Sequence, residues 1–209
     1  MNDNPSSRSC SAFMGEKLVA RGAIKSVVSA CKLELTDDQL PSVLIFDERD
    51  SRLVEVDFRG SAADVVRRLD SRRETGAADT GADGPPKKRG RGRPKLGVVA
   101  REVTLLPRHW EWLASQPGGA SVALRRLVEE ARRANSGRDR RRAARESCYR
   151  FMVAMAGNRP RFEEASRALF AGERDLYANE IAGWPADIRD HCLRLAEAGF
   201  AGDRRSRPE

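Results

Sequence analysis

The chain has 209 residues, with 39 Lys and Arg against 31 Asp and Glu and a formal net charge of +8. That length suits one large or two small domains. No apolar run approaches the ~20 residues a membrane helix needs. No basic-then-apolar leader opens the sequence. Cys10, Cys31, Cys148 and Cys192 are scattered without a CxxC pair, which argues against a zinc ribbon and a secreted disulfide framework. A reduced, cytoplasmic protein is the expectation.

The positive excess is not spread evenly. Residues 1–70 carry 10 basic and 12 acidic side chains, residues 71–145 carry 19 and 8, and residues 146–209 carry 10 and 11. Two blocks make up the excess: residues 87–95, and a run from 132 to 145 with seven arginines against Asp139 alone. A basic stripe between near-neutral flanks is the footprint of polyanion binding. A membrane-surface role would need large apolar residues beside those charges, and the first block has none.

Residues 10–70 read as a small α+β unit. Residues 11–20 form a strand interrupted by the turn-like Met14-Gly15-Glu16-Lys17. Ile24, Val27, Val28 and Cys31 recur at helical spacing over residues 23–33. Residues 43–47 are a short apolar run. A polar turn follows at 48–52, and then Val54, Val56 and Phe58 alternate with Glu55, Asp57 and Arg59, which predicts a hairpin with one wet face. Gly60-Ser61 opens a helix over 62–69. Asp47, Asp50 and Asp57 form an acidic group whose ordinary reading is solubility.

Residues 71–98 read as a flexible linker, Gly-, Ala-, Asp- and Thr-rich as far as Pro85-Pro86. Lys87, Lys88, Arg89, Gly90, Arg91, Gly92, Arg93, Pro94 and Lys95 then hold six positive charges and no negative one. The core Arg91-Gly92-Arg93-Pro94-Lys95 resembles an AT-hook, which binds the minor groove of A·T-rich DNA. A narrow groove of high negative potential attracts arginine. A glycine between the two arginines removes the Cβ that would meet the groove floor, and Pro94 keeps the exit extended. The alternative is a solvated basic tether.

Beyond the linker, Arg101-Glu102-Val103-Thr104-Leu105 alternates as a half-buried strand should. Pro107 fits a first helical turn, with Trp110, Leu113 and Ala114 as the apolar stripe. Pro117-Gly118-Gly119 stops that helix. Ser121 is placed to cap a second helix, on which Leu124, Leu127, Val128 and Ala131 repeat at i, i+3, i+4, i+7. Residues 99–133 therefore resemble a ribbon-helix-helix domain, whose paired strands from two subunits lie in the major groove. The resemblance implies a homodimer with Val103 and Leu105 inward, Glu102 and Thr104 toward the bases and Arg101 beside them; the opposite phase remains open. It also implies that the helix N-terminus at Gly119-Ala120-Ser121 grips a phosphate.

Residues 138–200 read as a helical domain with four stripes: Ala144, Cys148, Phe151, Met152 and Met155; Phe162, Ala165 and Leu169; Tyr177, Ile181 and Trp184; Ile188, Cys192, Leu195 and Ala196. Asn158-Arg159-Pro160, Gly172-Glu173 and Gly183-Trp184-Pro185 punctuate them. Arg140, Arg141 and Arg142, in the opening turns of the first helix, are expected on phosphates. His191-Cys192 with Cys148 lacks the companion spacing of a metal or nucleophile site, and His109 reads as a surface residue.

The chain as a whole is similar to a bacterial family known only as domain-of-unknown-function family 2239. The likeness is carried by residues 91–96 running into 101–113, then by 117–125, 162–165 and 184–191. It implies a bacterial protein and no established activity.

The expected fold class is thus α+β: a small N-terminal α+β unit, a flexible basic linker, a central ribbon-helix-helix-like segment and a C-terminal helical bundle. The expected function is binding of double-stranded, A·T-rich DNA by a nucleoid-associated factor or transcription regulator. No catalytic residues, metal or cofactor are expected, because there is no nucleophile–base pair, phosphate loop or ligand cluster. The rival reading is a protein-interaction adaptor or antitoxin-like module, gripping its partner through the flanking domains.

Overall fold

A computed structural model describes residues 8–76, 99 and 101–201, with side chains left out for 72–76. The chain is mixed α+β. The described residues fall into two compact units: 8–76 together with 138–201, and those from 99 to 137.

In the first unit, β1 (Ser9–Met14) and β2 (Lys17–Ala23) form an antiparallel hairpin. Gly15 takes the first central position of the turn at φ +57, the conformation a tight hairpin of the II′ kind reserves for glycine. The interruption expected at Met14–Lys17 is therefore a strand reversal. β3 (Val43–Asp47) joins the other side of β1, also antiparallel, giving the order β2-β1-β3. Helix α1 (Ile24–Glu34) buries Ile24, Val27, Val28 and Cys31, the stripe read from the sequence.

Helix α2 (Ala62–Gly76) opens with Ser61 and Asp64 capping each other: the Ser61 N–H donates to Asp64 Oδ2 at 3.0 Å, and the Asp64 N–H to Ser61 Oγ at 3.2 Å. It runs to Gly76, so residues 71–76, assigned to the linker by composition, are helical.

The alternation of β1 divides the sheet between two cores. Cys10, Ala12 and Ile45 face α1 and Val65 of α2. Phe13 and Phe46 face the other way, into a core built by the C-terminal half of α4 (Gly119–Ala156), α5 (Phe162–Ala171), α6 (Arg174–Glu180) and α7 (Ala186–Ala196). Phe151 sits against both rings, at centroid distances of 5.2 Å and 5.0 Å. All four predicted stripes contribute to this core. The two flanking segments, which composition divides into separate domains, thus share one interior. The apolar back of a three-stranded sheet cannot be left wet, and the C-terminal helices cover it.

The second arm of the predicted 43–58 hairpin is a correction. It pairs with β3 only at its start, where the Asp47 N–H donates to Arg52 O and the Val54 N–H to Ile45 O. From there residues 54–59 run without ladder pairing. Even-numbered residues of this arm face β3, which ends at Val43, where the Val43 N–H turns back to the Leu40 carbonyl. Arg68 of α2 binds the carbonyls of Asp57 and Arg59 on the side away from β3.

In the second unit, α3 (Pro107–Ala114) starts with Pro107 in its first turn, as read from the sequence. Gly118 (φ +83) and Gly119 (φ +74) reverse the chain. α4 begins at Gly119, so Ser121 lies inside the helix and is not its cap. α4 then runs unbroken for 38 residues. The boundary expected between residues 133 and 138 does not interrupt the helix: a lone Gly137 in a helix costs only about 1 kcal/mol, less than opening the ladder. Residues 138–145 are accordingly mid-helix. Residues 101–106 have no strand pairing in the single chain, since a lone strand needs a second edge.

Candidate nucleic-acid interface

The basic run from 132 to 145 lies on α4, and helix geometry sorts it. Arg132 and Arg133 pair with Glu129 at 3.3 and 3.7 Å. Arg142 lies 3.2 Å from Asp139 and 3.8 Å from Glu146. Arg141 Nη1 reaches the Ala201 carbonyl at 3.4 Å. Arg145 Nε donates to the Gly199 carbonyl at 3.0 Å, and its Nη1 to the Phe170 carbonyl at 3.1 Å. Arg138 and Arg140 have no carboxylate partner among the described residues.

Arg138, Arg141, Arg142 and Arg145 stand at i, i+3, i+4 and i+7, one stripe of the helix. With Phe170 of α5 they line a cleft of about 280 Å³. Gly199 allows the close approach behind it: a Cβ there would sit 2.9 Å from Arg145 Cγ. Four guanidinium groups on one wall repel each other. Asp139 and Glu146 both pair with Arg142, and Arg138 in the same stripe has no carboxylate partner among the described residues, so the cleft favours an anion.

This corrects the predicted grouping. Arg141 and Arg142 belong to the stripe, but Arg140 is about 160° round the helix from Arg142 at 100° per residue and points elsewhere. Sequence reading held Arg138 and Arg145 within the basic run but did not single them out as site residues; their spacing becomes readable once the helix is taken as continuous. Phe170 left no such signal, because its place depends on how α5 packs on α4.

The remaining predicted residues are dispersed. Arg101, Glu102 and Thr104 are exposed in the unpaired segment before α3. Val103, expected inward, is 57% exposed in the single chain. Ser121 is exposed in the first turn of α4, where helix N–H groups lack intrahelical acceptors. Lys87, Lys88, Arg89, Arg91, Gly92, Arg93, Pro94 and Lys95 lie outside the described residues.

A second polar cluster joins the hairpin to α7. Arg21 Nη2 and Arg194 Nη2 donate to His191 Nδ1 at 3.0 and 3.1 Å. Arg194 Nη2 also reaches Glu48 Oε1 at 2.8 Å, and Ser11 hydrogen-bonds the same carboxylate. Burial, then the charges of Arg194 and Arg21, push His191 down to about 3, so it is a neutral acceptor.

Asp47 is likewise buried. Burial alone would raise its pKa, but hydrogen bonds from Arg49 and the charge of Arg8 outweigh it and hold the carboxyl low. Asp57 pairs with Arg59 at 2.8 Å. No group of three or more metal-ligating side chains exists among the described residues.

Cys148 Sγ lies 3.1 Å from the Tyr177 hydroxyl, and burial pushes the Cys192 thiol up. That is a packed core, not an activated thiol.

No helix among the described residues is long and apolar enough to cross a membrane. Residues 9–196 match the model of a family described as an uncharacterised protein conserved in bacteria (DUF2239). No curated protein and no solved structure matches the chain.

Proposed function

The chain belongs to this uncharacterised bacterial family, and for it we propose binding of double-stranded DNA through the middle third of the sequence. The observation that carries the reading is the localisation of charge: the whole positive excess lies in residues 71–145. Within it, α4 presents a stripe of arginines only partly neutralised by its own carboxylates. The AT-hook-like Arg91-Gly92-Arg93-Pro94-Lys95 supplies a minor-groove arm, and residues 99–133 a dimeric ribbon. Exposure of Val103, Leu106, Trp110, Leu127 and Val128 supports that dimer, since a large uncovered apolar surface calls for a partner. The protein acts as a nucleoid-associated factor or transcription regulator, without catalysis.

Binding of the full chain to one duplex over a range of salt tests this. If about 6–8 phosphates are neutralised, log K falls against log salt with a slope of about −5 to −7. Arg91→Ala with Arg93→Ala weakens binding more on A·T-rich than on G·C-rich duplex. A slope of about −2 or shallower, a couple of phosphate contacts, supports the adaptor reading instead.

That second reading has an observation of its own. The Glu48 N–H donates to Ser9 O, so even-numbered residues of β3 bond toward β1 and odd-numbered ones toward the outer edge. Past Val54 that edge pairs with no strand among the described residues, and its Val43 N–H is taken by the Leu40 carbonyl. It borders an apolar cleft of about 790 Å³ lined by Leu40, Leu44, Ile45, Val54, Val56 and Phe58. Leu44 and Ile45 point to opposite faces of the sheet, so the cleft lies off its edge, where an added peptide strand docks.

A further inference from the structure

We propose that the arginine cleft of α4 and α5 takes an unpaired DNA strand, one base stacking on Phe170 and the phosphates lying along the arginine stripe. The inference rests on the DNA-binding reading and names the form of DNA this cleft accepts.

The argument begins with Phe170. It is 47% exposed, and it lines the cleft with four arginines. Its carbonyl is held by Arg145, which fixes the end of α5 against α4. A duplex reaching this wall offers phosphates alone, because its base faces are already stacked on one another. It would leave the phenyl ring bare among guanidinium groups. An unpaired base has a free face, and base–aromatic stacking beside a positively charged groove is how single strands are held.

The stripe continues in the same sense. Tyr149 follows Arg138, Arg142 and Arg145 at i+11, i+7 and i+4, close to three helical turns from the first. It is 37% exposed, with its ring centroid 5.4 Å from that of Phe170. The two rings meet edge-to-face at 61°, and Tyr149 also packs on Phe162 at 6.2 Å, so Tyr149 braces Phe170 rather than offering a second stacking face. Charge complementarity limits the track. Glu163 and Glu164 follow Phe162, which packs on Tyr149, and repel phosphate beyond the rings.

The test uses the full chain, a labelled twelve-nucleotide oligo-dT and a twelve-base-pair duplex of mixed sequence. Phe170→Leu keeps an apolar side chain on α5 and removes the ring. It should weaken oligo-dT binding about tenfold, the loss expected from one stacked base, and leave duplex affinity unchanged within about twofold. Phe170→Tyr should restore the single-strand affinity, which a merely structural role for the ring at this exposed position would not require. Arg138→Ala should lower oligo-dT affinity and make the salt slope shallower by about one. If Phe170→Leu weakens both DNA forms equally, or neither, the cleft is not a single-strand site while duplex binding stands. If the wild-type chain binds neither form at low salt, the DNA-binding reading falls and this inference falls with it.

Discussion

The two compact units use apolar residues in opposite ways. In the unit formed by residues 8–76 and 138–201, the rings of Phe13, Phe46, Phe151 and Tyr177 are wholly buried. In the unit from 99 to 137 only Leu113 and Ala123 are buried among the described hydrophobic residues, while Trp110, Trp112, Val122, Leu127 and Val128 are exposed. Both stretches carry apolar residues at helical spacing in the sequence. Periodicity shows which face of a helix is apolar and says nothing about what covers it. In the first unit the sheet and helices cover one another. In the second these residues stay uncovered among the described residues, and the proposed dimer would cover them.

The largest effect expected from this contrast is on Phe151. Its ring lies between Phe13 and Phe46 and 4.3 Å from the His191 ring. Phe151→Ala should cost about 3–5 kcal/mol of stability, the range for truncating a buried phenylalanine, read from urea unfolding by circular dichroism. A loss under about 1 kcal/mol would mean that the core is loosely filled, and the contrast between the units would collapse.

A smaller effect is tied to pH. His191 has a folded pKa of about 3 against an ordinary value of 6.5. The fold therefore favours the neutral ring. Its contribution is fully present above pH 6.5 and is lost progressively as the pH falls from there toward 3, where both forms bind the proton. The total is on the order of a few kcal/mol. His191→Asn keeps an acceptor for Arg21 and Arg194 but cannot titrate, so its stability should change less between pH 6.5 and 4 than that of the wild type. The groups facing this ring are Arg21, Arg194 and the carboxylate of Glu48 that they share. An unchanged acid limb in the variant would assign the pH dependence to the carboxylates instead.

What the sequence made legible follows the range of the interactions involved. The stripes Cys148-Phe151-Met152 and Ile188-Cys192-Leu195, the start of α3 at Pro107 and the cap of α2 at Ser61 depend on neighbours within a few residues, and their patterns appear in the letters. The division into separate flanking domains failed because the partner of Phe13 is Phe151, far along the chain. The strand at 54–58 failed because β3 ends at Val43, whose N–H is already donated to Leu40, so the arm has no ladder partner past Val54. In the arginine run, charge density was plain, but setting Arg138 and Arg145 beside Arg141 and Arg142, with Arg140 on another face, required following one helical phase through the run. Phe170 was beyond reach: only packing of α5 on α4 brings it into the cleft.

The smallest effect on stability, and the sharpest on assembly, is expected in the second unit. Val128 lies on α4 in the stripe read from the sequence and is 62% exposed in the single chain. Val128→Glu removes little that the single chain buries and lies outside the first unit, so urea unfolding of that unit should shift by about 0.5 kcal/mol or less. The same change places a charge on the surface proposed to pair between two copies, where burying it unpaired is costly. Sedimentation of the full chain should then show the dimer replaced by monomer, with the DNA salt slope reduced because one copy brings fewer phosphate contacts. A variant that keeps the wild-type mass would show that this face is not where copies meet. A variant that loses several kcal/mol would show that Val128 is covered within one chain, and the difference between the two units would disappear.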